Sequence, residues 1–144
     1  MMDGFSSSKG TLVIAATNCP YNLDGAVLSR ANARIEIPLP GYEVIYAVLH
    51  SKLGDRLADD VDLAKFAARL EKLQYSNRDI KNFIGKMQDS LADEFTKSES
   101  NGEDKDPDDF RYTNEMIDKA FDEIVPTTKQ SDILRIEQFK LMGE

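Results

Sequence analysis

The stretch Thr11–Glu43, TLVIAATNCPYNLDGAVLSRANARIEIPLPGYE, decides how the chain is read. It opens on Thr11-Leu12-Val13-Ile14-Ala15-Ala16, a continuous apolar run with β-branched residues, followed by Asn18-Cys19-Pro20. Such a run predicts a short strand buried on both faces, the kind found in parallel sheets covered by helices. Arg34-Ile35-Glu36-Ile37 alternates and predicts a second strand. Pro38 and Pro40 end it, because proline cannot donate to a ladder. Between the two, Leu23 to Leu28 predicts one or two helical turns with Asp24 as N-cap.

After Gly41 the period becomes helical. Ile45, Val48, Leu49 and Leu53 share one face, and Gly54 is a natural stop. Asp62 caps a second predicted helix with Leu63, Phe66, Ala67, Leu70 and Leu73 on one stripe. Ser76 opens the strongest helix, with Asp79 at the charged position of a variant capping box and Ile80, Phe83, Ile84, Met87 and Leu91 inward. Residues 97–109, KSESNGEDKDPDD, are acidic, hold Gly and Pro, and carry no large apolar side chain, so they predict a mobile surface loop. Thr113 caps a fourth helix with Ile117, Ala120, Phe121 and Ile124 inward, ended by Pro126. A last helix starts at Ser131, with Leu134, Ile136 and Phe139, and ends near Gly143. The expected class is therefore α/β: two strands of a parallel sheet followed by a mainly α-helical bundle.

Composition bounds the function. The 144 residues carry Lys+Arg 18 against Asp+Glu 26, a formal net charge of −8, so bulk charge does not suit a nucleic-acid coat. Hydrophobic residues at 41% and charged residues at 31% fit a soluble globular chain. No window approaches the ~18 consecutive apolar residues of a membrane span. The start, MMDGFSSSKG, has no basic n-region or apolar h-region, so no signal peptide is expected. One cysteine, Cys19, and one histidine, His50, exclude an internal disulfide framework and a Cys- or His-rich metal centre. The sequence has no GxxxxGK[ST] loop, no GxGxxG and no apolar strand ending in Asp-Glu.

Thr11 to Glu43 closely resembles the second region of homology of AAA ATPases: Ala16-Thr17-Asn18, Pro20, Leu23-Asp24, Ala26, Arg30, Arg34 and Ile37-Pro38-Leu39-Pro40 occur in the family's order. Met2-Asp3-Gly4 resembles the Met-Asp-Gly that precedes that region. Leu57 to Leu63 and Tyr75-Ser76-Asn77-Arg78-Asp79-Ile80 resemble the family's helical lid, whose signature is Gly-Tyr-Ser-Gly-x-Asp-Ile. The final PTTKQSDILRIEQFKLMGE is similar to the C-terminal helix of the katanin, spastin and vacuolar-sorting branch. The resemblance implies residues 1–41 as the C-terminal remnant of the αβα core and residues 42–144 as the lid, with the acidic loop and the last helix.

By that resemblance Asn18 matches sensor 1, an amide that donates to the γ-phosphate or orients the attacking water. Arg30 matches the arginine finger offered to the neighbouring subunit's nucleotide, and Arg34 the second arginine of the same turn. Ser29 and Ala31 stand where another arginine and a phenylalanine are usual. His50 matches a lid histidine beside the adenine, and Tyr75-Ser76 the turn that approaches the base, although Gln74 and Asn77 replace the usual glycines. Each has a plainer reading: Asn18 ends a strand, the arginines are solvated, His50 packs on a helix face, and Ser76 and Asp79 cap a helix.

The family's strand that leads into the phosphate loop lies between the two strands named above, and it is missing here. Each would then expose unpaired N–H and C=O groups, so the first forty residues should not form the family's sheet alone. The resemblance implies the sensor and lid part of an ATPase that couples ATP hydrolysis to protein remodelling or unfolding. It implies ATP/ADP with Mg in the complete module, with none bound tightly by this chain alone and no turnover of its own. It also implies neighbouring AAA subunits, usually in a hexameric ring, a protein substrate, no nucleic acid, no membrane insertion and a cytoplasmic location. The alternative is a non-catalytic interaction or regulatory module that docks on intact AAA subunits.

Overall fold

The computed structural model describes Gly10 and residues 12–142. Thr11 of the first predicted strand, Met2-Asp3-Gly4 and the helix end at Gly143 lie outside the described residues. The described residues divide into two compact units: one through Arg34 together with those from Ser131, the other Ile35–Gln130.

The α/β expectation is overturned. Among the described residues there is no strand and no sheet, and the fold is mainly helical. Leu12 to Thr17 and Arg34 to Pro40 belong to neither helix nor ladder. Most of their apolar side chains stand in solvent, Leu12 at 81% exposure, Ile14 at 82%, Ile35 at 88% and Ile37 at 87%, while Leu39 is half-buried and Pro40 buried. The physical reason is that a strand is a property of a pair. Local β-branched content favours an extended backbone, but without a neighbouring strand nothing accepts the N–H groups or covers the side chains.

The larger unit, Ile35–Gln130, is a helical bundle. It comprises α2 (Tyr42–Leu53), α3 (Leu63–Lys72), α4 (Asn77–Ser100) and α5 (Asn114–Glu123). The smaller unit holds α1 (Gly25–Arg30) and nearly all of α6 (Gln130–Met142). The caps are set by sequence. Asp24 accepts from the Ala26 amide, Asp62 from Lys65 and Thr113 from Met116. The Ser76 hydroxyl accepts from the Asp79 amide while the Asp79 carboxylate accepts from the Ser76 amide, a complete capping box. Gly41 has no capping side chain, so Glu71 of α3 supplies the acceptor, 2.8 Å from the Tyr42 amide.

Four aromatic rings fill the centre of the bundle. Phe83 and Phe121 lie 4.6 Å apart between centroids, with Phe66 and Tyr75 edge-on or tilted against them. Such offset geometries add about 0.5–1.5 kcal/mol per pair beyond area burial. The Arg69 guanidinium covers the Phe121 ring at 3.8 Å and reaches Asp118. Ile45, Leu49, Leu53, Leu70 and Met87 close the core. Two predicted inward residues are not covered: Val48 is 37% exposed and Leu73 44%. Helix α4 runs to Ser100, so the first four residues of the acidic stretch are helical. There Phe95 sets its ring edge-on to Phe110 at 5.6 Å. The segments between α2 and α3 and before α5 meet through an isolated parallel bridge, Leu57 with Tyr112.

Candidate functional site

In the larger unit, the residues matched to a nucleotide base sit on two structures. The first is an aromatic face of α2. Tyr42, Tyr46 and His50 recur every fourth residue, so they share one side of the helix. The rings of Tyr42 and Tyr46 are 5.9 Å apart, and Tyr46 stacks on His50 at 6.2 Å with 22° between planes. His50 is exposed while the tyrosines are half-buried. A Cβ on Gly54 would come within 3.4 Å of the imidazole, so the glycine lets the ring lie against the end of the helix. This face offers flat π surfaces to a ligand ring.

The second is the turn before α4. Tyr75 is 2% exposed, with its ring against Phe83 and Phe121 and its hydroxyl donating to the Ile124 carbonyl. Burial raises the Tyr75 hydroxyl above its ordinary pKa. Ser76 is held in the capping box, its hydroxyl donating to Asp79 at 2.7 Å. Asp79 is 1% exposed and accepts from the Ser76 amide and hydroxyl and from the Thr127 amide and hydroxyl. Burial pushes its carboxyl up, but the hydrogen bonds from Ser76 and Thr127 outweigh this and hold it below the ordinary carboxylate value. Gln74, at the position of a signature glycine, has φ 58°. The turn thus keeps the left-handed backbone that favours glycine, with a side chain added.

Tyr75 and Ser76 are brought together with Asp79 and the segment Ile124–Thr127, whereas His50 meets Tyr46 and Gly54. Thr127 and Ile124 as partners were not visible in the sequence. They lie 48 and 49 residues from Asp79 and Tyr75, and no spacing rule reaches that far.

In the smaller unit Asn18 lies in an exposed bend, just before the 3-10 turn Pro20–Asn22. It is not at a strand tip, since no strand forms among the described residues. Arg30 is the exposed last residue of α1. Arg34 donates from its guanidinium to the Leu28 carbonyl at 3.1 Å and so folds back on the end of α1. Tyr21 of the 3-10 turn faces Arg135 of α6, whose guanidinium lies 5.6 Å from the ring centre. Among the described residues no cluster of three or more His, Cys, Asp or Glu could hold a metal ion. Nor, among them, is any helix long and apolar enough to cross a membrane.

The chain is similar to segments of much longer proteins. It is 41% identical over 80 residues to the katanin p60 ATPase-containing subunit A1 of Strongylocentrotus purpuratus, covering 55% of this chain and 15% of that protein. It is 41% identical over 69 residues to the cell division control protein 48 homolog B of Arabidopsis thaliana, covering 46% and 11%. With the ATP-dependent zinc metalloprotease FtsH of Acidothermus cellulolyticus it shares 32% identity over 119 residues, covering 81% and 17%. The aligned part is thus under a fifth of each relative's length. No family model matches the chain. The ordered motifs and these homologues agree, and the chain belongs to the AAA ATPase family.

Proposed function

We propose that this chain is the sensor and lid part of an AAA ATPase, whose ring couples ATP binding and hydrolysis to remodelling of protein substrates. In this reading the Tyr46–His50 face of α2 meets the adenine, and the Tyr75-Ser76 turn, whose tyrosine ring is buried in the core, positions the lid rather than touching the base. Asn18, Arg30 and Arg34 serve phosphate sensing, the arginines toward a neighbouring subunit. The carrying observation is the exposed imidazole of His50, stacked on Tyr46 and seated over Gly54 at the position where the resemblance puts a base contact. These residues fit the base end of a nucleotide. The phosphate end, with its magnesium, needs the GxxxxGK[ST] loop and acidic strand end that this sequence lacks.

The test is complementation. A katanin p60 subunit truncated before the matching segment is mixed with this chain, and ATP turnover is measured. Restored turnover is expected, abolished by Arg30→Ala and weakened in ATP affinity by His50→Ala. The chain alone should show none. Failure to restore turnover in a stable mixed complex overturns the reading.

The exposed apolar Leu12, Val13 and Ile14 favour a second reading, a non-catalytic module docking on intact AAA subunits. In that case the chain changes the turnover of untruncated subunits without repairing truncated ones.

A further inference from the structure

A groove of about 430 Å3 runs between α2 and α4. Its floor is apolar, with Ile45, Ile80 and Ile84 at 0%, 3% and 7% exposure. Val44 and Val48 stand on its α2 wall, 52% and 37% exposed. Val48 belongs by spacing to the apolar stripe of α2, yet it stays 37% exposed. The charged residues lining the groove are Lys52 and Lys81, and no carboxylate lines it. On a chain of net charge −8 that is a local reversal of sign.

We propose that this groove docks an acidic amphipathic helix of a partner protein. From Val44 to Lys52 the α2 wall spans about 12 Å of helix axis. That length matches apolar anchors at i, i+4 and i+7 of a docked helix, the usual way a helix is read by a groove. The lysines select the charge of the residues flanking those anchors and steer their approach. A second copy of this chain is a poorer occupant. Its exposed apolar helix α6 shows Leu134, Leu141 and Met142, but Asp132 and Glu137 are balanced there by Arg135 and Lys140. Its acidic residues 101–109 hold no large aliphatic side chain to enter the groove. The proposal goes beyond the nucleotide reading and does not depend on it.

The experiment uses the full chain and two fluorescein-labelled synthetic helices. Both carry leucines at i, i+4 and i+7, with glutamates elsewhere in one and lysines in the other. Fluorescence anisotropy should show the acidic peptide binding, more weakly as salt rises, and the basic peptide not. Lys52→Glu with Lys81→Glu, both at exposed positions, should weaken the acidic peptide about tenfold and leave the thermal midpoint unchanged. Val48→Asp should do the same from the apolar side. Equal binding of both peptides, or indifference to charge reversal, overturns the proposal. So does a chain that sediments as a dimer and is made monomeric by Val48→Asp, which would assign the groove to a second copy.

Discussion

At the scale of single residues, Gln74 and Asp79 carry the sharpest expectations. Gln74 holds a left-handed backbone at φ 58°. That conformation costs a side chain-bearing residue about 1–2 kcal/mol. Glycine relieves it but loses about 0.5–1 kcal/mol more backbone entropy on folding. Gln74→Gly should therefore stabilise the bundle by about 0.5–1 kcal/mol in urea titrations, while Gln74→Ala, which keeps the strain, should not. Asp79 accepts four hydrogen bonds as a carboxylate, and its pKa lies below the ordinary value. The contribution of a lowered carboxyl is present above the unfolded pKa of about 3.9 and is lost as pH falls through the folded value. Asp79→Asn turns an amide N–H₂ toward groups that donate. It should destabilise by about 1.5–3 kcal/mol near neutral pH, with the gap to the parent shrinking only below about pH 4. A gap independent of pH down to the acid limb would separate Asp79 from this role.

At the scale of elements, the helices were legible wherever two local signals agreed. Asp62, Ser76 and Thr113 are caps in the structure as their spacing to the following stripes implied. The buried sets of α3, α4 and α5 follow the 3.6-residue period. The far end of α4 was not legible, because residues after Leu91 have no continuous stripe. That turn is instead held by the tertiary contact of Phe95 on Phe110 and by the local bond from the Ser98 hydroxyl to Glu103. Phe95→Ala should accordingly speed amide exchange in the last two turns of α4 while leaving its first turn protected. Uniform acceleration along the whole helix would show that the aromatic pair is not a local anchor. The Asp79–Thr127 link was invisible for a related reason: it joins a cap to a loop across 48 residues, and only the packing of α5 on α4 brings them together. Thr127→Val should cost about 1 kcal/mol without altering helix content. The groove shows a third kind of failure. Period alone put Val48 inward, whereas exposure depends on whether another element lies over that side.

For the whole molecule, stability and stickiness reside in different parts. The aromatic centre and the packed stripes lie within Ile35–Gln130. The Leu12–Thr17 segment contributes exposed apolar area and no ladder among the described residues. The sequence signal for a strand there failed as a fold prediction, because burial needs covering layers and a neighbour on each side. Two consequences follow from this separation, and they can be measured on the same samples. A chain limited to residues 35–130 should keep the helical circular dichroism of the bundle and unfold in one cooperative step. The paired change Leu12→Ser and Ile14→Ser in the full chain should leave the thermal midpoint within about 1 °C, since exposed positions rarely move stability by more than ~0.5 kcal/mol. The same change should lower light scattering on concentration, because a short unpaired apolar run is the segment most prone to edge-to-edge association. A fall of several degrees in the midpoint would mean that Leu12 and Ile14 are covered in solution and help to hold the fold.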